Sequence, residues 1–410
     1  MMKATPDISI GFVSTYPPTV CGLATYTESL LGAIAESRGT RAGLGVVAVG
    51  DDTGSGDRPD VVYRHRTSTT RSRGRAVRAL NGFDTVSIQH EFGIFGGQDG
   101  REVIDLIEAI TVPTAVTLHT VLDEPTPHQR AIIERLAMRA NRLVVMSETA
   151  ATRLSRRYAI DPEQIDVVPH GANTMFSGPS LAAGARPMAL TWGLIGPGKG
   201  LESVIAAFAQ LTDLDPAPRY LIAGATHPRV RETAGESYRE SLVALVHDLG
   251  LEHMVEFDGR YFDRATLARL VRSSDVVVLP YASTQQVTSG VLTEAIAASK
   301  PVVATRFPHA LELLGQGAGL TVPHGDTDAL AAALRHVFTD HAARARMAVV
   351  ARRLADGWFW PTIGRRFADL MAHTAGRLPQ GTPVASGVLA RTGLVSAGTG
   401  SMSKAGDAVR

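Results

Sequence analysis

The sequence predicts an α/β protein of two domains, each a parallel sheet covered by helices on both faces. Three observations predict it. Short β-branched runs alternate with amphipathic helical stretches, which is the pattern of βαβ units. The alternation stops at a loose Gly/Ala/Ser/Pro stretch, residues 177–186, and then restarts. A chain of 410 residues that is 44% hydrophobic also holds enough apolar material for two cores.

In the first half, the apolar runs at 8–13, 44–49, 85–88, 114–118, 143–146 and 165–168 read as strands. After the first run a Pro/Gly loop gives way to Leu23, Tyr26, Leu30 and Ile34 at helical spacing. In the second half, strands are expected at 189–195, 220–223, 255–257, 276–279, 302–304 and 320–322. Helices are expected at 201–211, 238–249, 264–273, 291–298 and 327–338. The first domain therefore covers 1–176, the linker 177–186 and the second domain 187–357. Residues 358–376 are left for a further C-terminal segment. Residues 377–410, with few large apolar side chains, read as a disordered tail.

A net charge of +1 argues against a dedicated nucleic-acid binder. Cys21 is the single cysteine, so there is no internal disulfide and no zinc-spaced Cys/His cluster. The N-terminus lacks a signal-like pattern, and no apolar run approaches the ~20 residues of a membrane helix. A cytoplasmic protein is expected; peripheral membrane contact stays open.

Two segments carry chemistry. Gly193-Leu-Ile-Gly-Pro-Gly-Lys199-Gly200 follows a strand and opens a helix. Glycines let a phosphate approach the backbone, a helix N-terminus offers unpaired N–H groups, and Lys199 adds a charge. A tight turn alone would explain the glycines but not the lysine. The spacing also starts a P-loop, yet Gly200 stands where a Mg²⁺-holding Ser or Thr belongs. The second segment runs from Pro280 through Gln286, Ser289, Gly290, Val291 and Leu292 to Glu294. It is again a strand, a polar loop and a helix N-terminus, where α/β sheets bind ligands. Glu294 lies one turn in, within reach of vicinal hydroxyls; alone, it reads as a partner of the helix dipole.

Other features have plainer readings. His119 ends a buried strand and is as readily structural as functional. The loop from Gln89 to Gly97 suits a cleft wall or interdomain packing. Arg64, Arg66, Arg71, Arg73, Arg75 and Arg78 read as a solvated face, with an anionic acceptor or lipid surface as the alternative. Asp213-Leu-Asp215 falls in a surface turn, and Asp326 reads as a helix N-cap. Trp358 and Trp360 read as packing anchors.

The ordered set of segments resembles retaining glycosyltransferase family 4, of the glycogen synthase and mannosyltransferase-like group, over residues 8 to 375. The stretch Pro17-Pro-Thr-Val-Cys-Gly22 looks like the family's first glycine loop, and Thr117-Leu-His119 like its histidine loop. Val167-Val-Pro-His-Gly171-Ala-Asn173 is similar to the turn that leads to the linker. Residues 193–200 look like the phosphate loop and 280–294 like the Glu-x7-Glu region. Trp360-Pro361 resembles the segment that crosses back to the first domain, which implies a helix over 358–376. Two positions depart from the pattern: Gln286 replaces the first acid, and Leu194 replaces an arginine that would grip the diphosphate.

The resemblance implies the GT-B fold, two Rossmann-like domains facing a central cleft. It implies transfer of a hexose, of mannose or glucose type, from a nucleotide-diphosphate sugar to an acceptor hydroxyl, with the anomeric configuration retained. GDP-mannose and UDP-glucose are the donor types expected. The acceptor would be a carbohydrate, a lipid-linked molecule or a small molecule. Donor-binding roles fall on Gly22, Gly196, Lys199, Ser289, Gly290, Val291, Leu292 and Glu294. Catalytic roles fall on His119, Gln286 and Glu294. No metal and no cofactor beyond the nucleotide sugar is expected. The alternatives are a GT-B nucleotide-sugar-binding protein with weak or no turnover, a P-loop-like NTPase, and a sugar-nucleotide epimerase on the same fold.

Overall fold

The computed structural model describes residues 8–50, 58–179, 181, 184 and 186–377. The tail expected at 377–410 lies outside the described residues except for Arg377.

The first sheet has seven parallel strands: β1 (Ile10–Ser14), β2 (Leu44–Val49), β3 (Val61–His65), β4 (Thr85–His90), β5 (Thr114–Leu118), β6 (Arg142–Val145) and β7 (Ile165–Val167). Their order is β3-β2-β1-β4-β5-β6-β7. The second sheet has six: β8 (Met188–Trp192), β9 (Arg219–Ala223), β10 (Val255–Asp258), β11 (Val276–Leu279), β12 (Val302–Thr305) and β13 (Gly319–Val322). Their order is β10-β9-β8-β11-β12-β13. Both sheets reverse direction beside their first strand, which opens a crevice at the carboxyl ends. The central strands are buried along their whole length, as sheets covered on both faces require.

The first sheet is covered by α1 (Gly22–Arg38), α2 (Thr70–Leu80), α3 (Glu102–Ala109), α4 (Pro127–Arg139) and α5 (Glu148–Arg157). The second carries α6 (Leu201–Phe208), α7 (Pro228–Ala234), α8 (Ser237–Asp248), α9 (Arg264–Ser273), α10 (Gly290–Ala297), α11 (Pro308–Leu313), α12 (Thr327–Thr339) and α13 (His341–Leu354). Local chemistry sets their starts. Thr126 and Gln129 close a capping box at α4, and Asp326 caps α12 by accepting from the Ala329 N–H, as the sequence suggests.

The last helix, α14 (Trp360–Thr374), belongs to the first domain. Ile363, Phe367, Leu370 and Met371 enter the core beneath α1, each contributing about 1.5–3 kcal/mol of transfer free energy. A Cβ on Gly364 would stand 2.5 Å from the Ala33 carbonyl carbon, so glycine sets the α1–α14 approach.

The expected strands at 44–49, 114–118 and 276–279 and the helix at 264–273 keep their bounds. The strand expected at 189–195 ends at Trp192, where the Gly193–Gly200 loop leaves the sheet. The helix expected at 201–211 tightens after Phe208 into a 3-10 turn. Strand β3 was not anticipated. It is a half-buried edge strand, so its Val-Val-Tyr-Arg-His sequence shows no continuous apolar run.

Candidate active site

The loops after β1, β8 and β9, and the first turns of α1 and α10, surround one cavity of about 740 Å³. That size suits a nucleotide-like ligand. The first domain supplies residues 17–22, Tyr26 and His170; the second supplies Trp192, Gly193, Leu194, Gly224, Gly290, Val291 and Glu294. Trp360 of α14 also lines it, so this residue does more than pack. Across the mouth, Arg264 reaches Glu28 at 3.3 Å and Ser29 at 3.1 Å, while Arg58 holds the same carboxylate at 2.6 Å.

The N-terminus of α10 is the best-defined wall. Ser289 caps it, its Oγ accepting from the Leu292 N–H at 3.2 Å. The Ser289 N–H itself donates to His309 Nδ1 at 3.0 Å. The first-turn N–H groups of Gly290 and Val291 have no intrahelical acceptor, and among the described residues no other acceptor meets them. Of the four residues at this turn to which the resemblance gives donor-binding roles, Ser289 and Leu292 therefore have their N–H groups occupied. Gly290 and Val291 are left facing the cavity. A Cβ on Gly290 would meet His170 Nε2 at 2.9 Å, so the histidine ring rests directly on this turn. His170 Nδ1 must donate to the Gly171 carbonyl, 2.8 Å away, which leaves Nε2 with its lone pair toward α10. Burial holds the ring neutral, its pKa lowered to about 4.

Glu294 lies on the same wall. Burial pushes its carboxyl up to about 7, against weaker opposing effects of Trp192 and Arg264. Among the described residues its carboxyl takes one hydrogen bond, from Trp192 Nε1, long at 3.4 Å.

The Gly193–Gly200 loop is built for close backbone contact. Gly200 has φ +68, and a Cβ there would stand 1.9 Å from the Pro280 carbonyl oxygen. No side chain fits, so a P-loop hydroxyl cannot stand at this position, which counts against the NTPase alternative. Lys199 Nζ sits 4.6 Å from the Tyr281 ring centroid, a cation–π contact, and Lys199 does not line the cavity. Gly196 is buried beneath Val230 and does not line it either.

Comparison with known proteins agrees with this layout. The model for glycosyltransferase family 4 matches residues 21–176, and that for glycosyl transferases group 1 matches residues 176–354. The two meet at residue 176, so they run unbroken from 21 to 354. The chain belongs to glycosyltransferase family 4. D-inositol 3-phosphate glycosyltransferases of Segniliparus rotundus, Kineococcus radiotolerans and Corynebacterium kroppenstedtii are each 30% identical to it, over 238, 283 and 305 residues. Those alignments cover 54%, 61% and 69% of this chain, and 51%, 63% and 66% of the relatives. The match thus spans about half to two thirds of the relatives' length. Among solved structures, Anabaena Alr3699/HepE in complex with UDP is 18% identical with a TM-score of 0.72, covering 89% of this chain and 100% of that one. Sucrose-phosphate synthase from Thermosynechococcus elongatus is 19% identical with a TM-score of 0.71, covering 90% and 100%. At such identities the likeness establishes the fold, GT-B.

Within this family 4 chain, Gly22, Gly290, Val291 and Glu294 meet at the cavity wall, whereas Gly196, Lys199, Ser289, Leu292, His119 and Gln286 stand off it. His119 lies one layer back. Its ring stands edge-on to Tyr26 at 4.8 Å, and its Nε2 donates to Gln89 Oε1 at 2.9 Å. The Gln89 amide nitrogen faces the Ser87 and Thr117 hydroxyls, which fixes that direction. Burial, then His170 and His90, lower the His119 pKa to about 3. Gln286 turns into its own loop, its Nε2 donating to the Thr288 carbonyl at 3.0 Å. Tyr26, His170 and Trp192 were not read as site residues. Tyr26 reads in the sequence as one more apolar position of its helix, Trp192 as the end of a buried strand and His170 as part of a turn, so residue type and spacing do not single them out.

Among the described residues no cluster of three or more His, Cys, Asp or Glu could hold a metal. Asp213 is committed to Arg335, at 2.7 Å, and Arg73 of the basic run pairs with Asp105 at 2.9 Å. No described helix is long and apolar enough to cross a membrane.

Proposed function

We propose that this chain transfers a hexosyl group from a nucleotide-diphosphate sugar to an acceptor hydroxyl with retention of configuration. The observation that carries the proposal is that Gly290 and Val291, whose first-turn N–H groups have no acceptor among the described residues, line a two-domain cavity beside Glu294. The donor diphosphate takes those two hydrogen bonds and the positive end of the α10 dipole. They stay aimed as charge builds on the leaving phosphate, so they stabilise departure. Glu294 accepts from the ribose hydroxyls. Lys199 leaves the Tyr281 ring to meet the phosphates, and Gly196 lets its loop approach. His119 acts through Tyr26, fixing the ring beside the transferred sugar. The departing phosphate takes the acceptor's proton, and no metal is needed.

The UDP in the HepE structure and the inositol phosphate in the relatives' names support this choice of substrates. Gln286 stands off the wall, so its missing charge leaves the cavity unchanged; this favours turnover over a silent binder. The same reading places the chain in the cytoplasm.

The test is a thermal-shift series with UDP, GDP, ADP and their sugar conjugates, with and without Mg²⁺. It is followed by acceptor-dependent release of nucleoside diphosphate, starting with inositol phosphates. A metal-independent shift plus acceptor-dependent release supports the proposal. A shift without release points to the silent binder. A shift confined to ATP or GTP with Mg²⁺ overturns the assignment.

A further inference from the structure

The domains meet at a second junction, behind α10 and away from the cleft mouth, with α11 at its centre. The Glu312 carboxylate accepts from the backbone N–H of Glu148 at 3.0 Å and of Thr149 at 2.9 Å, and from the Thr149 hydroxyl at 2.6 Å. Those N–H groups are first-turn donors of α5. Ser147 Oγ satisfies a third, that of Ala150, at 3.2 Å. A helix of the first domain thus receives much of its N-terminal capping from the second. A carboxylate there is favoured by charge-assisted hydrogen bonds and by the helix dipole.

One turn earlier on α11, His309 accepts the Ser289 N–H through Nδ1. Burial lowers its pKa to about 3, so it stays a neutral acceptor at physiological pH. The chain before Ser289 is also held by the first domain. Val287 is 2% exposed within that domain's core, and its carbonyl accepts from Ser147 Oγ at 2.7 Å. Arg153 donates to the Gln285 carbonyl at 3.0 Å.

We infer that His309 and Glu312 are positioning residues that aim the α10 donors. His309 sets the turn carrying the Gly290 and Val291 N–H groups, and Glu312 ties that setting to the first domain. The inference rests on the donor reading above, and neither side chain touches the donor.

The experiment uses the full chain and the variants His309→Ala, His309→Asn, Glu312→Ala and Glu312→Gln. Two readouts are taken: hydrogen exchange of the Ser289 amide by NMR, and donor KM against kcat. His309→Ala is expected to speed Ser289 exchange by at least about tenfold and raise donor KM more than it lowers kcat. His309→Asn keeps an acceptor oxygen near the Nδ1 position and is expected to restore most of both. Glu312→Ala is expected to speed exchange at Thr149 and also at Ser289; Glu312→Gln, still an acceptor, does so less. If His309→Asn is as impaired as His309→Ala, ring volume matters rather than the accepted bond, and the inference fails. If Glu312→Ala leaves Ser289 exchange within about twofold of wild type, the tie between domains is absent. Should His309→Ala not fold, the two Glu312 variants decide alone. Lack of turnover by the wild type with every donor would sink the functional reading, while exchange would still report on the His309 and Glu312 bonds.

Discussion

Helices α6 and α10 both follow strands at the carboxyl edge of the same sheet, yet their N-termini are built differently. At α6 the cap is Gly200 in a left-handed conformation, with no side-chain capping bond. Its surroundings are backbone: the Pro280 carbonyl presses on it, and the Ala282 N–H donates to Gly198 at 3.0 Å. At α10 the cap is Ser289, fixed from both sides, and two first-turn N–H groups on the cavity wall have no acceptor among the described residues. The Gly-Lys segment is the louder motif, but its glycines serve to bring two loops together. The quieter segment presents the donors. Motif strength in this sequence therefore tracks backbone geometry more closely than it tracks charge.

Four substitutions test that contrast. The largest effect is expected from Gly200→Ser, where the junction must shift by more than a side chain can yield. Chemical denaturation should show a loss of about 3 kcal/mol or more. A loss under about 1 kcal/mol would mean the loops do not need their close contact. Lys199→Ala should raise donor KM about tenfold, or ~1.4 kcal/mol, with stability nearly unchanged. An unaltered KM would mean the ammonium stays on Tyr281 and α10 binds phosphate alone.

Glu294→Gln should act in two directions. The carboxyl titrates near 4.5 when unfolded and near 7 when folded, so the native state holds the proton more tightly. Native stability then falls as pH rises from 4.5 to 7, and the cost persists above 7. At pH 8 the variant should be more stable by about 1 kcal/mol, an advantage that fades below pH 4.5, while its nucleotide affinity drops. Thermal melts across pH, with and without nucleoside diphosphate, read both; a variant less stable at pH 8 would refute the strain. Gln286→Glu should have the smallest effect, keeping nucleotide affinity within about twofold. A larger loss would bring residue 286 back to the wall.

Much of the fold was readable because the buried strands are short β-branched runs between helices of clear period. Val276–Leu279 is an example, apolar at every position and buried at every position. Strand β3 escaped because edge position removes that signal. At the site, Gly22, Gly290, Val291 and Glu294 were recoverable since each sits at a strand–loop–helix junction. His170 was not, because its contact with Gly290 crosses the domains, and Tyr26 was not, because its ring partners His119, His170 and Trp360 are brought together only by the fold. Glu312 is further still: its partners lie 163 and 164 positions away, and nothing local distinguishes it from a surface acid.

The seating of α14 on α1 has a consequence for how the molecule is made. The first domain is synthesised first but finished last. Its core awaits Ile363, Phe367, Leu370 and Met371, which emerge only after the entire second domain. During translation the groove under α1 stays uncovered while the second domain folds. Emergence of α14, rather than completion of the segment before the linker, therefore marks when the first domain closes and the cavity gains its Trp360 wall.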